Sequence, residues 1–117
     1  MQPTIRNLEA HWRGDTWGGF TVSATKINGV ALTSNVTAIH CMFRQRNNPN
    51  KVYHLYNSAG ITITDAAKGA YRIDPQIINF DASLYDYDIE LTLANGAKYT
   101  GVAGTWTIKQ DYTYGYH

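Results

Sequence analysis

The stretch LYDYDIELTLANGAKYTGVAGTWTIKQD, residues 84–111, decides how the whole chain is read. In it Tyr85, Tyr87, Ile89, Leu91 and Leu93 alternate with Asp86, Asp88, Glu90 and Thr92. That is the two-residue period by which a strand sends successive side chains to opposite faces, here one apolar and one acidic. Asn95-Gly96 follows, a pair favoured in two-residue type I′ turns because both central residues take positive φ. A tight turn predicts Ile89 opposite Val102, Tyr87 opposite Gly104 and Tyr85 opposite Trp106. Apolar then meets apolar across the hairpin, whereas a one-residue slip would set Trp106 on the acidic face. Gly104 suits its place, since an aromatic ring can lie over a cross-strand glycine.

Working outward, the same punctuation recurs. FTVSATKINGVAL repeats the hairpin logic at Asn28-Gly29, with weaker alternation and unequal arms. VTAIHCMFRQ places Thr37, Ile39, Cys41 and Phe43 on one face and Ala38, His40 and Met42 on the other, apolar enough on both sides for a central strand. After the RNNPN loop, KVYHLYN and GITITD resume as short strands, and Tyr71 and Ile73 begin another. PQIINFDAS reads either as an extended crossing or as a short edge strand, because Pro75 cannot sit in a central one. Helical periodicity is nearly absent. About seven to nine short strands in one chain of this length predict an all-β fold, an antiparallel immunoglobulin-like β-sandwich, with a small β-barrel as the alternative.

The 117 residues make one domain, 1–117, with 44% hydrophobic and 13% aromatic residues to fill a core. A formal charge of +1 without any Lys/Arg cluster argues against nucleic acid and anionic membranes as partners. The single cysteine, Cys41, excludes an internal disulfide and reads as a buried thiol. No apolar run approaches the ~18 residues of a spanning helix, and MQPTIRNLEA is not a secretory leader. The expectation is a soluble protein made in the cytoplasm, for which the sequon Asn35-Val36-Thr37 has no use.

Residues that could carry chemistry are few. His11, His40, His54 and His117 form no close-spaced metal motif in the sequence, and His40 points away from its neighbour Cys41 on a strand, which argues against a dyad. No catalytic residues and no cofactor are expected. Asp86, Asp88 and Glu90 could offer oxygen ligands to a cation, but same-face neighbours lie ~6.5 to 7 Å apart, so a solvated outer face is the plainer reading. The aromatic surplus points instead to contact. Tyr112, Tyr114 and Tyr116 alternate at the C-terminus, and Trp12 and Trp17 flank Arg13-Gly14-Asp15, with one of the two tryptophans expected in the core. These five rings are the candidate interaction surface, for a protein partner or a glycan. The Arg-Gly-Asp itself reads as a turn leading into a strand, with Asp15 bonding to nearby backbone N–H groups, rather than as an adhesion signal.

The segments IRNLEAHWRGDTWGGFTVSATKINGVAL, GITITDAAKGAYRI and YDYDIELTLANGAKYTGVAGTWTIKQD together resemble the small immunoglobulin-like domains of bacteriophage tails, in particular the N-terminal domain of baseplate upper proteins. The likeness runs from Ile5 to Asp111. It implies a non-enzymatic virion component of the tail or baseplate, assembled in the bacterial host cytoplasm, docking onto other virion proteins and often forming a homo-oligomer. Baseplate upper proteins carry further domains, whereas this sequence stops at His117, so a tail accessory, connector or assembly protein is expected rather than a receptor-binding one. A carbohydrate-binding module for a host surface glycan is the alternative.

Overall fold

The structure is a computed structural model describing residues 3–27 and 29–110. Asn28 and the three C-terminal tyrosines, Tyr112, Tyr114 and Tyr116, lie outside the described residues. The chain is all-β. Short pieces come first: β1 (Thr4–Ile5), β2 (His11–Trp12), β3 (Thr16–Trp17), β4 (Phe20–Val22), β5 (Lys26–Ile27) and β6 (Val30–Ala31). The longer strands follow, β7 (Val36–Gln45), β8 (Val52–Asn57), β9 (Gly60–Asp65) and β10 (Ala70–Ile73), then the two-residue β11 (Gln76–Ile77), and finally β12 (Ser83–Leu93) and β13 (Lys98–Lys109).

One sheet carries the fold in the order β1, β13, β12, β7, β8, β9, β10, β4, with β2 also on the outer edge of β13. Taken by strand order, β13–β12–β7 and β9–β10–β4 correspond to the G-F-C and D-E-B sets of an immunoglobulin-type sandwich. The sheet passes from one set to the other at a pinch after β8, where Ser58 takes a φ of 68° and only Tyr56 and Asn57 pair with Gly60 and Ile61. The path does not close, because no ladder joins β4 to β1 or β13 among the described residues, which makes the architecture a curled sandwich rather than a closed barrel. The sheet is mixed, not wholly antiparallel as expected from the hairpin signals. Residues 4–12 run beside β13 in the same direction and pair with it in parallel at Thr4, Ile5, His11 and Trp12.

The β12–β13 hairpin has the predicted pairs: Tyr85 opposite Trp106, Tyr87 opposite Gly104 and Ile89 opposite Val102. Its turn differs from the predicted one. Gly96 N–H donates to the Leu93 carbonyl at 2.9 Å and Leu93 N–H donates to the Ala97 carbonyl at 2.9 Å, with positive φ at Gly96 and not at Asn95. This is the three-residue loop built on a type I turn, which shifts the register by one residue. A β-bulge restores it: Glu90 pairs with Thr100 while Ile89 pairs with Val102, leaving Gly101 as the extra residue. A second bulge adjusts β7. Leu93 pairs with Val36 whereas Thr92 pairs with Ala38, so Val36 turns into the core and Thr37, expected there, turns out, its hydroxyl donating to the Thr92 carbonyl at 3.2 Å.

The core is continuous. Tyr85, Tyr87, Ile89, Leu91 and Leu93 of β12 pack with Ile39, Cys41 and Phe43 of β7 and with Val102, Trp106 and Ile108 of β13. Ile61, Tyr71 and Ile73 join them from the other set, and Trp17, Ile78 and Phe80 complete the cluster. The PQIINFDAS segment is both things it was read as: β11 makes a two-residue edge pair with β3, and Ile78 and Phe80 then cross buried beneath the sheet. Tyr85 fastens that crossing, its hydroxyl donating to the Asp81 carbonyl at 2.6 Å. A tyrosine at the start of this strand bonding back to upstream backbone is the tyrosine corner of immunoglobulin-type sandwiches.

Candidate interaction surface

The residues singled out by sequence divide sharply. Trp17 is 4% exposed and its ring lies 4.3 Å from that of Trp106, so it is a core residue and cannot serve a contact surface. The reason is the strand period: β3 offers only Thr16 and Trp17, and pairing with β11 turns Thr16 out and Trp17 in. Trp12 is exposed, with the Lys109 ammonium 5.2 Å from its ring centroid.

Arg13-Gly14-Asp15 is a tied turn. Arg13 N–H donates to the Lys109 carbonyl, Gly14 N–H to the Ile78 carbonyl and Asp15 N–H to the Trp12 carbonyl, at 2.8, 2.8 and 3.2 Å. The Asp15 carbonyl in turn accepts from Ile78 N–H at 2.9 Å. Residues 13–15 form the expected turn, whereas the expected local bond to the Asp15 side chain is not made among the described residues: Asp15 acts through its main chain.

Cys41 is 1% exposed on the inner face of β7, and burial, with Asp88 adding, pushes its thiol far up. The thiolate a nucleophile needs is therefore disfavoured. His40 stands on the opposite, outer face, as alternation requires. There the structure builds a feature that no local sequence pattern announces. His40 pairs with Tyr56 and Met42 with His54 across the β7–β8 ladder, which brings three rings together. His40 and Tyr56 stack at 4.5 Å with only 3° between their planes. The His40 Nε2 and His54 Nδ1 atoms are 2.8 Å apart while the ring centroids are 5.0 Å apart, so the two imidazoles meet edge to edge. Desolvation lowers the pKa of His40, the proximity of His54 lowers it further, and Glu90 and Asp88 on β12 oppose the change.

The acidic row on β12 is not three equivalent carboxylates. Asp86 is engaged by Arg46, whose Nη2 and Nε donate to it at 2.6 and 3.1 Å, and this holds the carboxyl below its ordinary range. Glu90 lies directly opposite His40, and Asp88 opposite Met42. The outer face of β12, β7 and β8 is thus a row of carboxylates beside a cluster of rings, with Tyr56 47% exposed. A counting argument could have found it. Folding the chain back at Asn48-Pro49 sets His40 diagonal to His54 as soon as the β7–β8 register is fixed.

A groove of ≈ 380 Å³ runs between the N-terminal arm and the β3–β4 segment, bordered by Arg6, His11, Trp17 and Phe20. The Arg6 guanidinium lies 4.3 Å over the Phe20 ring and covers that face.

Compared with known proteins, the sequence matches no family model and no curated protein.

Proposed function

We propose that this chain is a non-enzymatic structural module of a bacteriophage tail or baseplate, acting by protein-protein docking and assembled in the host cytoplasm. The observation that supports docking is the outer face of β12, β7 and β8, where Tyr56, His40 and His54 stand beside Asp88 and Glu90 on a broad sheet surface. Rings with polar edges are enriched where proteins meet, since they bury area and still satisfy hydrogen bonds. The assignment to the tail rests on the sequence resemblance from Ile5 to Asp111.

Mass spectrometry of purified virions, together with light scattering of the isolated chain, tests this reading. The expected result is a virion-associated protein that self-associates or captures a tail protein, with Tyr56→Ala weakening the association. A chain absent from virions and monomeric at high concentration would overturn it. The glycan alternative keeps one exposed indole, Trp12, and a glycan array with wild type and Trp12→Ala separates it from docking: binding to a defined sugar that disappears in the variant would favour it.

A further inference from the structure

We infer that His40 and His54 form a two-histidine site for a borderline transition-metal dication such as Zn²⁺, with water completing the coordination shell. The site stands on geometry and does not depend on the docking reading. The His40 Nε2 and His54 Nδ1 atoms face each other at 2.8 Å, a distance at which one nitrogen carries the shared proton and the other presents its lone pair. Moving that proton to the far nitrogen of its own ring leaves two lone pairs facing each other, which a turn of the His54 ring aims at one ion, and imidazole nitrogen is a ligand type suited to zinc, copper and nickel. Tetrahedral coordination with Zn–N bonds of about 2.0–2.1 Å sets the two nitrogens about 3.4 Å apart, so the pair must open by roughly half an ångström.

The surroundings favour that opening at one partner. His40 is half-buried and held flat against Tyr56, 4.5 Å between centroids, so it is the fixed ligand. His54 is exposed and can swing. Glu90, paired with His40 across β12, and Asp88 beside it put negative charge next to the site and offset part of the charge that a dication brings. No group of three or more His, Cys, Asp or Glu side chains is arranged to hold a metal among the described residues, which is why water is assigned to the remaining positions. A shell left open to water in this way differs from the closed four-ligand shell of structural zinc.

Titration of the untagged 117-residue chain with ZnCl₂ by calorimetry, followed by NMR of the histidine ring protons, tests the site. The expected result is one zinc per chain, ring resonances of His40 and His54 moving together while those of His11 stay, and binding weakened at least about tenfold in His54→Ala, no less than the loss of an outer-shell partner costs in metal sites. His54 is exposed, so that variant should fold, and an unchanged thermal midpoint without metal verifies it. MgCl₂ serves as the comparison, since magnesium prefers oxygen ligands and should leave the rings unmoved. No zinc uptake at millimolar concentration, or uptake that His54→Ala leaves intact, would overturn the proposal. Equal uptake of magnesium would do the same by assigning the effect to the carboxylates.

Discussion

The β12–β13 hairpin and the N-terminal segment from β1 to β6 are built on different principles. The hairpin is two long strands in one ladder, each residue supported by a repeated pattern of partners. Among the described residues the N-terminal segment has no strand longer than three residues, and it is fastened to distant parts of the chain by ladders of two or three residues, such as β4 on β10, and by single bonds between them. Arg6 N–H and Leu8 N–H donate to the carbonyls of Ala103 and Thr105, Arg13 N–H to that of Lys109, and Thr25 N–H to that of Lys68, all at 2.8 or 2.9 Å. The Thr25 hydroxyl adds a bond to the Gly69 carbonyl. A ladder tolerates the loss of one contact because its neighbours keep the register. A segment held by short ladders and single bonds depends on each docking point being the right shape.

The largest way to break the contrast is Trp106→Ala. The side chain belongs to both regions: it fills the core between Trp17, Phe43 and Phe80, and its indole N–H donates to the Glu9 carbonyl at 3.0 Å. Emptying such a volume should cost about 3–5 kcal/mol in urea denaturation. Gly104→Ala should cost less, about 1–3 kcal/mol as an overpacking strain, but be more selective. A Cβ there would stand 2.1 Å from the Arg6 carbonyl oxygen, so the arm must move off. Hydrogen exchange should then quicken at Arg6 and Leu8 while the β7–β12 ladder stays protected. Equal loss in both would mean that arm and hairpin unfold as one unit.

Two tyrosines sharpen the comparison with opposite signs. Tyr87 is 4% exposed and its hydroxyl donates to the Arg6 carbonyl, and burial pushes the phenol up to about 12. Tyr87→Phe should therefore lose about 1 kcal/mol. Tyr71 is fully buried and its hydroxyl has no hydrogen-bond partner among the described residues, so Tyr71→Phe should be neutral or stabilising by up to about 1 kcal/mol. Thermal melts of the pair give the two signs directly, and a destabilised Tyr71→Phe would reveal a partner for that hydroxyl.

The smallest effect concerns the surface carboxylates. Asp74, Asp81 and Asp86 are held below their ordinary range, chiefly by hydrogen bonds from Arg72, Lys51 and Arg46 respectively. A depressed folded-state pKa contributes stability that is present above the unfolded value of about 3.9 and lost as the pH falls through the folded-state value. Arg46→Ala should therefore lower the midpoint at neutral pH slightly, since the pair is exposed, and flatten the acid limb of the stability profile below about pH 4 by the same small amount.

The legibility of the sequence follows the same division. The hairpin could be registered from residues alone because Tyr85, Tyr87 and Ile89 leave one acceptable alignment with Trp106, Gly104 and Val102. Its turn is of another type than Asn95-Gly96 suggests, without consequence for the alignment, because the bulge at Gly101 returns the strand to the same register. Thr37 was placed inside since strict alternation has no term for the bulge that substitutes Val36. The sequence accounts for Gly104 through Tyr87 alone, whereas the carbonyl of Arg6 also occupies the space that a side chain would need. Trp12 and Trp17 look equivalent in HWRGDTWGGF, and only the pairing of β3 with β11 separates an exposed ring from a buried one.

By itself the sequence determined the all-β class, the inner face of β12 and the alignment of the last hairpin, because a period of two is a local property written in neighbouring residues. Tertiary structure alone decided where β1 and β2 dock, which tryptophan is core, and that His40 and His54, 14 positions apart, come within hydrogen-bonding distance. Those outcomes depend on which strands become neighbours, and that choice is made by burying the whole apolar surface at once rather than by any single stretch of the chain.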